Sequence, residues 1–242
     1  ALYTVCKRLV DAPIINPRDL KTKELLFVQF LITDPEYCVV QNKSRKFSNE
    51  YLEHEFNWYL NGNLNADYIK QFSKVWNDIR DNNGNVNSNY GYIALRQRLE
   101  NTKINQFQWV IDSLKKDKNS RQAIINFNQP KHKYENNKDF VCTINTQYLI
   151  RNDELMSITN MRSNDLIYGF SNDFPFFSYL QQRVYNEIKD DYKDLKLGTN
   201  VHFTSSLHVY EKHFNMIENI IKDYEKKPYR SKKLQEVINI KC

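Results

Sequence analysis

Two neighbouring segments, residues 140–150 and 155–161, have alternating apolar and polar side chains and constrain the fold more than any other feature. Alternation with a period of two is typical of β-strands that bury one face. The turn between the segments contains Asn152 and Asp153, residue types that tolerate the backbone of a tight hairpin. The sequence therefore predicts an antiparallel hairpin in this part of the chain.

Patterns typical of helices and of further strands lie on both sides of this hairpin. Strands are predicted at residues 25–33, 122–127 and 202–210. Apolar residues at helical spacing predict helices at residues 48–61, 66–79, 104–114, 176–190 and 213–224, with a loop at 81–87. Because helices and strands are mixed without a strict βαβ alternation, the pattern predicts an α+β fold.

The composition is typical of a globular protein, since 40% of the 242 residues are hydrophobic and 26% are charged. No apolar run reaches the roughly 18–20 residues of a membrane span. No secretory signal is visible either, so we expect a cytoplasmic protein with reduced thiols and no membrane partner. The net charge of +6 favours anionic partners, but it does not choose between a nucleic acid and a small phosphorylated substrate.

The cysteines offer one candidate nucleophile. They stand at positions 6, 38, 142 and 242, and their spacings match no zinc signature. Cys142 is the best candidate because Arg121 and Arg162 would supply the positive charge that a thiolate needs near neutral pH. The competing interpretation is that Cys142 is a small apolar residue in a buried strand.

Three further sets of polar residues are candidates for chemistry. Arg162 and Ser163 offer a forked donor and a hydroxyl that suit a phosphate, although such residues more often belong to a surface ion pair. His208 and Tyr210 would share one face of a strand and suit a sugar hydroxyl, or else form a hydrogen-bonded pair in the core. Glu55 lies in an apolar helix, where burial would raise its pKa and allow proton transfer, unless the side chain is exposed.

Four stretches that follow one another in order resemble the thymidylate synthase superfamily. They are residues 88–91 (SNYG), 139–151 (DFVCTINTQYLIR), 161–173 (MRSNDLIYGFSND) and 206–213 (SLHVYEKH). The likeness covers about residues 15–225, and within the superfamily these stretches are most similar to the deoxycytidylate hydroxymethylases of phages. The resemblance implies the thymidylate synthase fold, with a mixed β-sheet, flanking helices and a homodimer formed sheet to sheet. It also implies one catalytic domain over residues 1–242.

The resemblance further implies an activity, the transfer of a one-carbon unit from 5,10-methylenetetrahydrofolate to C5 of dCMP. Water would then add to the exocyclic methylene and give 5-hydroxymethyl-dCMP. The nearest alternative is reductive methylation of dCMP or dUMP, which shares every step up to that methylene. No metal and no direct nucleic-acid binding are expected, and a phage-encoded enzyme of this kind would act in the host cytoplasm. A nucleic-acid-binding protein on a former enzyme scaffold is a third alternative, which the combination of candidate catalytic residues disfavours.

Roles for individual residues also follow from the resemblance. Cys142 would add to C6 of the pyrimidine, Glu55 would manage protons through an ordered water, and Tyr90 would assist removal of the C5 proton. The residues matched to substrate binding are Arg18, Arg121 (from the partner subunit), Gln147, Arg162, Ser163, Asp173, His208 and Tyr210. Those matched to the folate are Trp76, Asp165 and Gly169. The departures from the family are Gln122 in place of a frequent second arginine, Ile79 in place of a tryptophan, and the tail at residues 237–242.

Position 173 indicates which base is bound. Thymidylate synthases carry an asparagine where this chain has Asp173, and an amide donates to O4 of uracil while it accepts from N3–H. In cytosine the pattern is reversed, since the amino group at C4 donates and N3 accepts. A protonated carboxyl group can match both, and burial would keep its proton in place by raising its pKa. Asp173 therefore favours a cytosine nucleotide, unless its side chain faces solvent.

Overall fold

A seven-stranded mixed β-sheet forms the centre of the computed structural model, which describes residues 1–240. Its strands are β1 (Ile14–Ile15), β2 (Thr22–Ile32), β3 (Ile124–Asn126), β4 (Thr143–Arg151), β5 (Glu154–Met161), β6 (Asn164–Asp165) and β7 (Lys196–Tyr210). The strand order is β1-β2-β7-β5-β4-β3, and β6 pairs with β7. Strand β7 runs parallel to β5 and β6, whereas the other neighbouring pairs are antiparallel.

Helices flank this sheet. Within residues 1–240 they are α1 (Leu2–Val10), α2 (Asn49–Asn61), α3 (Lys74–Ile79), α4 (Tyr90–Leu95), α5 (Gln106–Lys116), α6 (Phe170–Ile188) and α7 (Phe214–Lys226). Helix α6 is buried along most of its length and packs on β5 and β7, so much of the core lies between this helix and one face of the sheet. None of these helices is long and apolar enough to cross a membrane.

The predicted hairpin between β4 and β5 is confirmed. Asn152 and Asp153 form its turn with φ angles of 51° and 58°, and Arg151 pairs with Glu154. Asparagine and aspartate adopt this left-handed backbone more readily than most residues do. The α+β class is confirmed as well.

Several predicted element boundaries are wrong. Residues 66–79 do not form one helix, because an extended Ser73 separates a short 3₁₀ turn at Ile69–Gln71 from α3. Helix α6 begins well before residue 176 and contains Pro175. Strand β7 likewise extends six residues further toward the N-terminus than expected, since it starts at Lys196 rather than residue 202. Helices α1 and α4 were not predicted, because nine and six residues give too short a periodic pattern.

Helices α2 and α4 position two of the candidate catalytic residues. The Ser48 side chain accepts a backbone hydrogen bond and caps α2, which confirms the predicted start of that helix. Glu55 lies on the buried face of α2, and Tyr90 is the first residue of α4. The two helices approach so closely that a Cβ atom on Gly91 would lie 1.8 Å from the Tyr59 carbonyl oxygen. Only glycine fits at this contact, which holds Tyr90 beside α2.

Candidate active site

Cys142 immediately precedes β4 and lies beside Arg162, the residue that follows β5. The Arg162 backbone N–H donates to the Cys142 carbonyl oxygen at 2.9 Å, and the guanidinium Nη2 lies 3.5 Å from Sγ. Burial raises the pKa of the thiol to about 11, while the Arg162 charge favours the thiolate and opposes this rise. Cys6 and Cys38 are buried, Cys142 is partly exposed, and Cys242 lies outside the described residues. Among the described cysteines, Cys142 combines access with an adjacent cation.

A buried carboxylate joins the segment before Cys142 to the start of α4. Asp139 accepts hydrogen bonds from the Ser88 backbone N–H and from the Ser88 hydroxyl, both at 2.8 Å. Asp139 therefore fixes the turn that leads into Tyr90, a residue that is itself buried. Burial raises the pKa of the Tyr90 phenol, and the nearby charges of Asp173 and Cys142 raise it further. The structure thus brings Tyr90 close to the candidate nucleophile.

Glu55 is only 4% exposed, so the alternative of an exposed helical residue is wrong. Its Oε1 accepts a hydrogen bond from the Tyr51 hydroxyl at 2.7 Å, and the Tyr51 oxygen accepts one from Trp76 Nε1 at 2.8 Å. Its Oε2 is buried and has no partner among residues 1–240. Burial raises the pKa of Glu55 to about 7, although the Tyr51 hydrogen bond and the Arg45 charge both lower it. A carboxyl group with this pKa can accept or release a proton near neutral pH.

Asp165 and Arg45 form the charged part of the site next to Glu55. Asp165 Oδ1 accepts hydrogen bonds from the backbone N–H groups of Ile167 and Tyr168, at 2.6 and 2.8 Å. Arg45 donates through Nε and Nη2 to the Ile167 carbonyl oxygen, at 3.1 and 2.7 Å. Burial lowers the pKa of Arg45 to about 10, and the charges of Asp165 and Glu55 oppose this shift. Asp165 Oδ2 and Arg45 Nη1 are both buried without a partner in the described part of the chain.

Asp173 lies in the first turn of α6 and is hydrogen-bonded to Asn164 of β6. Asn164 Nδ2 donates to Asp173 Oδ2 at 2.8 Å. Burial raises the pKa of Asp173 well above its usual range, and the Glu55 charge raises it further. This shift favours the protonated form of the carboxyl group. Gly169 borders the pair so closely that a Cβ atom there would lie 2.8 Å from Asn164 Nδ2 and 3.0 Å from Asp173 Oδ2.

His208 and Tyr210 lie on the same face of β7, as predicted, with ring centroids 5.2 Å apart. The Ser163 hydroxyl lies 3.5 Å from His208 Nδ1. Burial raises the pKa of Tyr210, and the charge of the exposed Arg18 opposes this rise. The same Arg18 charge also opposes the rise in the pKa of the Cys142 thiol. Arg18 therefore lies close enough to act on both Tyr210 and Cys142.

Arg121 and Gln147 lie apart from this group within one chain. Gln147 Nε2 donates to the Arg121 carbonyl oxygen at 2.9 Å, which connects β4 to the segment before β3. The Arg121 side chain is exposed. No hydrogen bond within residues 1–240 links either side chain to Cys142 or Arg162.

Four residues of the site were missed in the sequence: Arg45, Tyr51, Asp139 and Asn164. Tyr51 precedes Glu55 by one helical turn, so the spacing of α2 contained a signal for their contact. Asp139 and Ser88 are 51 positions apart, and no local pattern indicates that they meet. Arg45 lies in the loop before α2, where the sequence offers no periodicity to place it.

Comparison with known proteins agrees with this architecture. The structure aligns with the thermostable thymidylate synthase A from Bacillus subtilis with a TM-score of 0.70, over 96% of this chain and 84% of that chain, at 16% sequence identity. The family model for thymidylate synthase matches residues 25–240. The fold is thus the thymidylate synthase fold, and the chain belongs to the thymidylate synthase family. The predicted family and the predicted mixed sheet with flanking helices are confirmed.

Relatives with a more specific name are also found. The deoxycytidylate 5-hydroxymethyltransferases of Enterobacteria phages T4, T2 and T6 are each 28% identical to this chain over 213 residues. These matches cover 85% of this chain and 82% of each relative.

Glu55 generates a prediction about stability and pH. Because its pKa is raised from 4.5 to about 7, the folded state binds a proton that the unfolded state has released between these values. The free energy of unfolding of the wild type should therefore fall, relative to Glu55→Gln, by about 3 kcal/mol as the pH rises from 5 to 8. Urea denaturation at several pH values measures this difference. Glu50→Gln, at an exposed position of the same helix, is the control, and equal slopes for the two variants would contradict the raised pKa.

Proposed function

We propose that this chain transfers a one-carbon unit from 5,10-methylenetetrahydrofolate to C5 of dCMP, and that water then adds to give 5-hydroxymethyl-dCMP. The names of the phage relatives support the reaction, and family membership supports the chemistry. The observation that carries the choice of substrate is the Asp173 carboxyl group, whose pKa is raised and whose Oδ2 accepts a hydrogen bond from Asn164. One catalytic domain over residues 1–242 is part of the same proposal.

Cys142 is the nucleophile in this proposal. The thiolate adds to C6 of the cytosine, and C5 becomes the carbon that attacks the one-carbon unit. The 3.5 Å separation of Arg162 Nη2 from Sγ supports this role, since a cation at that distance favours the thiolate over the thiol. Arg18 adds a second positive charge that acts on the same sulfur.

Glu55 and Tyr90 handle protons in the later steps. The Tyr90 phenol, with its raised pKa, holds its proton and can donate a hydrogen bond near C5. Glu55 has its free Oε2 available, directly or through a water, to exchange a proton with the base and with the water that adds to the methylene. A pKa of about 7 allows Glu55 to act in either direction without a large cost.

The substrate's phosphate and sugar are matched by the polar side chains around Cys142. Arg162, Ser163 and Arg18 supply donors for the phosphate, and His208 and Tyr210 supply ring donors for the deoxyribose. The 3.5 Å contact between Ser163 and His208 supports one continuous binding surface for the two parts of the nucleotide.

The folate, which supplies the one-carbon unit, fits the opposite part of the site. Asp165 Oδ2 is buried without a partner in residues 1–240, and a carboxylate oxygen suits the N–H donors of a pterin ring. Trp76 is linked to Glu55 through Tyr51 and places an aromatic ring near the same region. Gly169 supports this arrangement because it has no Cβ atom, which would otherwise lie 3.0 Å from Asp173 Oδ2.

A homodimer completes the proposal, formed through the sheet face opposite the core. Phe27 and Leu31 of β2 are 72% and 64% exposed, although the alternating residues Val28 and Phe30 are buried. An exposed apolar sheet face of this kind favours association with a second copy. The exposed Arg121 would then extend from one protomer toward the phosphate of its partner.

Product analysis tests the reaction and the nucleophile together. With dCMP and methylenetetrahydrofolate, the wild type should form a nucleotide heavier by one CH₂O unit, without dihydrofolate absorbance. Cys142→Ser should retain dCMP binding but lose at least about 99% of the turnover, because a serine hydroxyl is far less ionised than a thiol. Mass spectrometry identifies the product. A product heavier by CH₂, with dihydrofolate formed, would support reductive methylation instead.

Base preference tests the role of Asp173. Asp173→Asn changes little volume and replaces a proton-bearing carboxyl by an amide suited to uracil. The lost pairing with cytosine and the gained pairing with uracil should each be worth about 1–3 kcal/mol. The ratio of kcat/KM for dCMP over dUMP should therefore fall at least about thirtyfold at pH 7. An unchanged ratio would mean that Asp173 does not read the base.

Sedimentation tests the dimer. The wild type should sediment as twice 29.1 kDa at micromolar concentration, whereas Leu31→Glu places a charge on the sheet face and should shift the protein toward the monomer. Val75→Glu is the matched control, because Val75 is an exposed apolar residue on α3, away from that face. A monomeric wild type would remove the dimer from the proposal.

A further inference from the structure

A protonated carboxyl group does not by itself distinguish cytosine from uracil. Each of its two oxygens can carry the proton. With the proton on the oxygen that faces N3, the group donates to N3 and accepts from the amino group of cytosine. With the proton on the other oxygen, the same group accepts from N3–H and donates to O4 of uracil. A second residue is needed to decide which oxygen of Asp173 holds the proton.

Asn164 is placed to make that decision. Its Nδ2 donates to Asp173 Oδ2 at 2.8 Å. An amide nitrogen only donates, so Oδ2 has to be an acceptor in this contact, and the proton is favoured on Oδ1. The same oxygen retains a second lone pair for another donor.

The surroundings hold this contact in one geometry. Asn164 is 3% exposed and pairs through its backbone with Leu207 of β7. The Asp173 backbone N–H donates to the Gly169 carbonyl oxygen at 2.9 Å. A Cβ atom at Gly169 would come within 3.0 Å of both side chains, so glycine at this position leaves their contact undisturbed.

Within residues 1–240, the Asn164 side chain makes no other hydrogen bond that would explain its burial. Its Oδ1 is buried and unpartnered in the described residues. A buried carbonyl oxygen without a donor costs free energy rather than stabilising the fold. The contact with Asp173 is therefore the interaction that accounts for an asparagine at this position.

We propose that Asn164 is a specificity-determining residue, which places the Asp173 proton on Oδ1 and so sets the carboxyl for cytosine. Oδ1–H donates to N3 of cytosine, while Oδ2 accepts from both Asn164 and the cytosine amino group. With uracil, Oδ1–H meets N3–H and Oδ2 meets O4. Moving the proton to Oδ2 weakens the hydrogen bond from Asn164, because a hydroxyl oxygen is a poorer acceptor than a carbonyl oxygen, so uracil is penalised even though Asp173 is unchanged. This inference rests on the proposed preference for dCMP.

Asn164→Ala tests the inference without introducing a clash. The ratio of kcat/KM for dCMP over dUMP should fall about tenfold, because the loss of one hydrogen bond frees the proton to sit on either oxygen. A merely structural role would lower both values together and leave the ratio unchanged. Asn160→Ala is the control, since Asn160 lies on β5 and donates to Asn145 at 2.8 Å, outside the site.

Two measurements separate this inference from the proposed function. The dissociation constants of dCMP and dUMP for Cys142→Ser, with and without Asn164→Ala, report base preference without turnover. If Cys142→Ser binds the two nucleotides equally well, the proposed substrate is wrong. If Cys142→Ser prefers dCMP and the added Asn164→Ala leaves that preference intact, only the role of Asn164 is wrong.

A double variant gives a second test. When Asn164→Ala is added to Asp173→Asn, the ratio of kcat/KM for dCMP over dUMP should change by less than about twofold, because residue 173 then has no proton that can move between two oxygens. A full tenfold change in that background would contradict the inference.

Discussion

The close approach of three carboxyl groups is the constraint on which this site depends. Asp173 is affected by the charges of Glu55 and Asp165, and the buried guanidinium of Arg45 interacts with Glu55 and Asp165. One positive charge cannot compensate three negative charges that are held this close together. The fold therefore requires that part of this carboxyl set be protonated at neutral pH, and the local contacts decide which members are.

Those contacts give the three carboxyl groups different environments. Asp165 accepts two backbone hydrogen bonds through Oδ1. Asp173 accepts one amide hydrogen bond, while burial and the charge of Glu55 favour its protonated form. Glu55 accepts one hydrogen bond from Tyr51 and has a pKa of about 7. The same chemical group therefore has distinct acid–base properties at positions 55 and 173.

The sequence predicted those parts of the fold and of the site that depend on local pattern. Alternation identified the hairpin, and strand register placed His208 beside Tyr210. Contacts between distant segments had no such signal, as Asp139 and Ser88 illustrate. The split of residues 66–79 was missed because an extended Ser73 does not disturb the apolar spacing on which the prediction relied. Resemblance to a family supplied the order of the site residues, but not the partners that set their protonation.

The proposed choice of base is therefore a property of the whole cluster rather than of residue 173 alone. Burial and the charge of Glu55 raise the pKa of Asp173, and the hydrogen bond from Asn164 to Oδ2 would favour the proton on the other oxygen. The same cluster leaves Glu55 Oε2, Asp165 Oδ2 and Arg45 Nη1 buried without partners among residues 1–240. Unpaired polar atoms destabilise the free protein, and a ligand that pairs with them recovers that free energy on binding. The groups that weaken the isolated fold are thus the ones best prepared to bind the proposed substrate and folate.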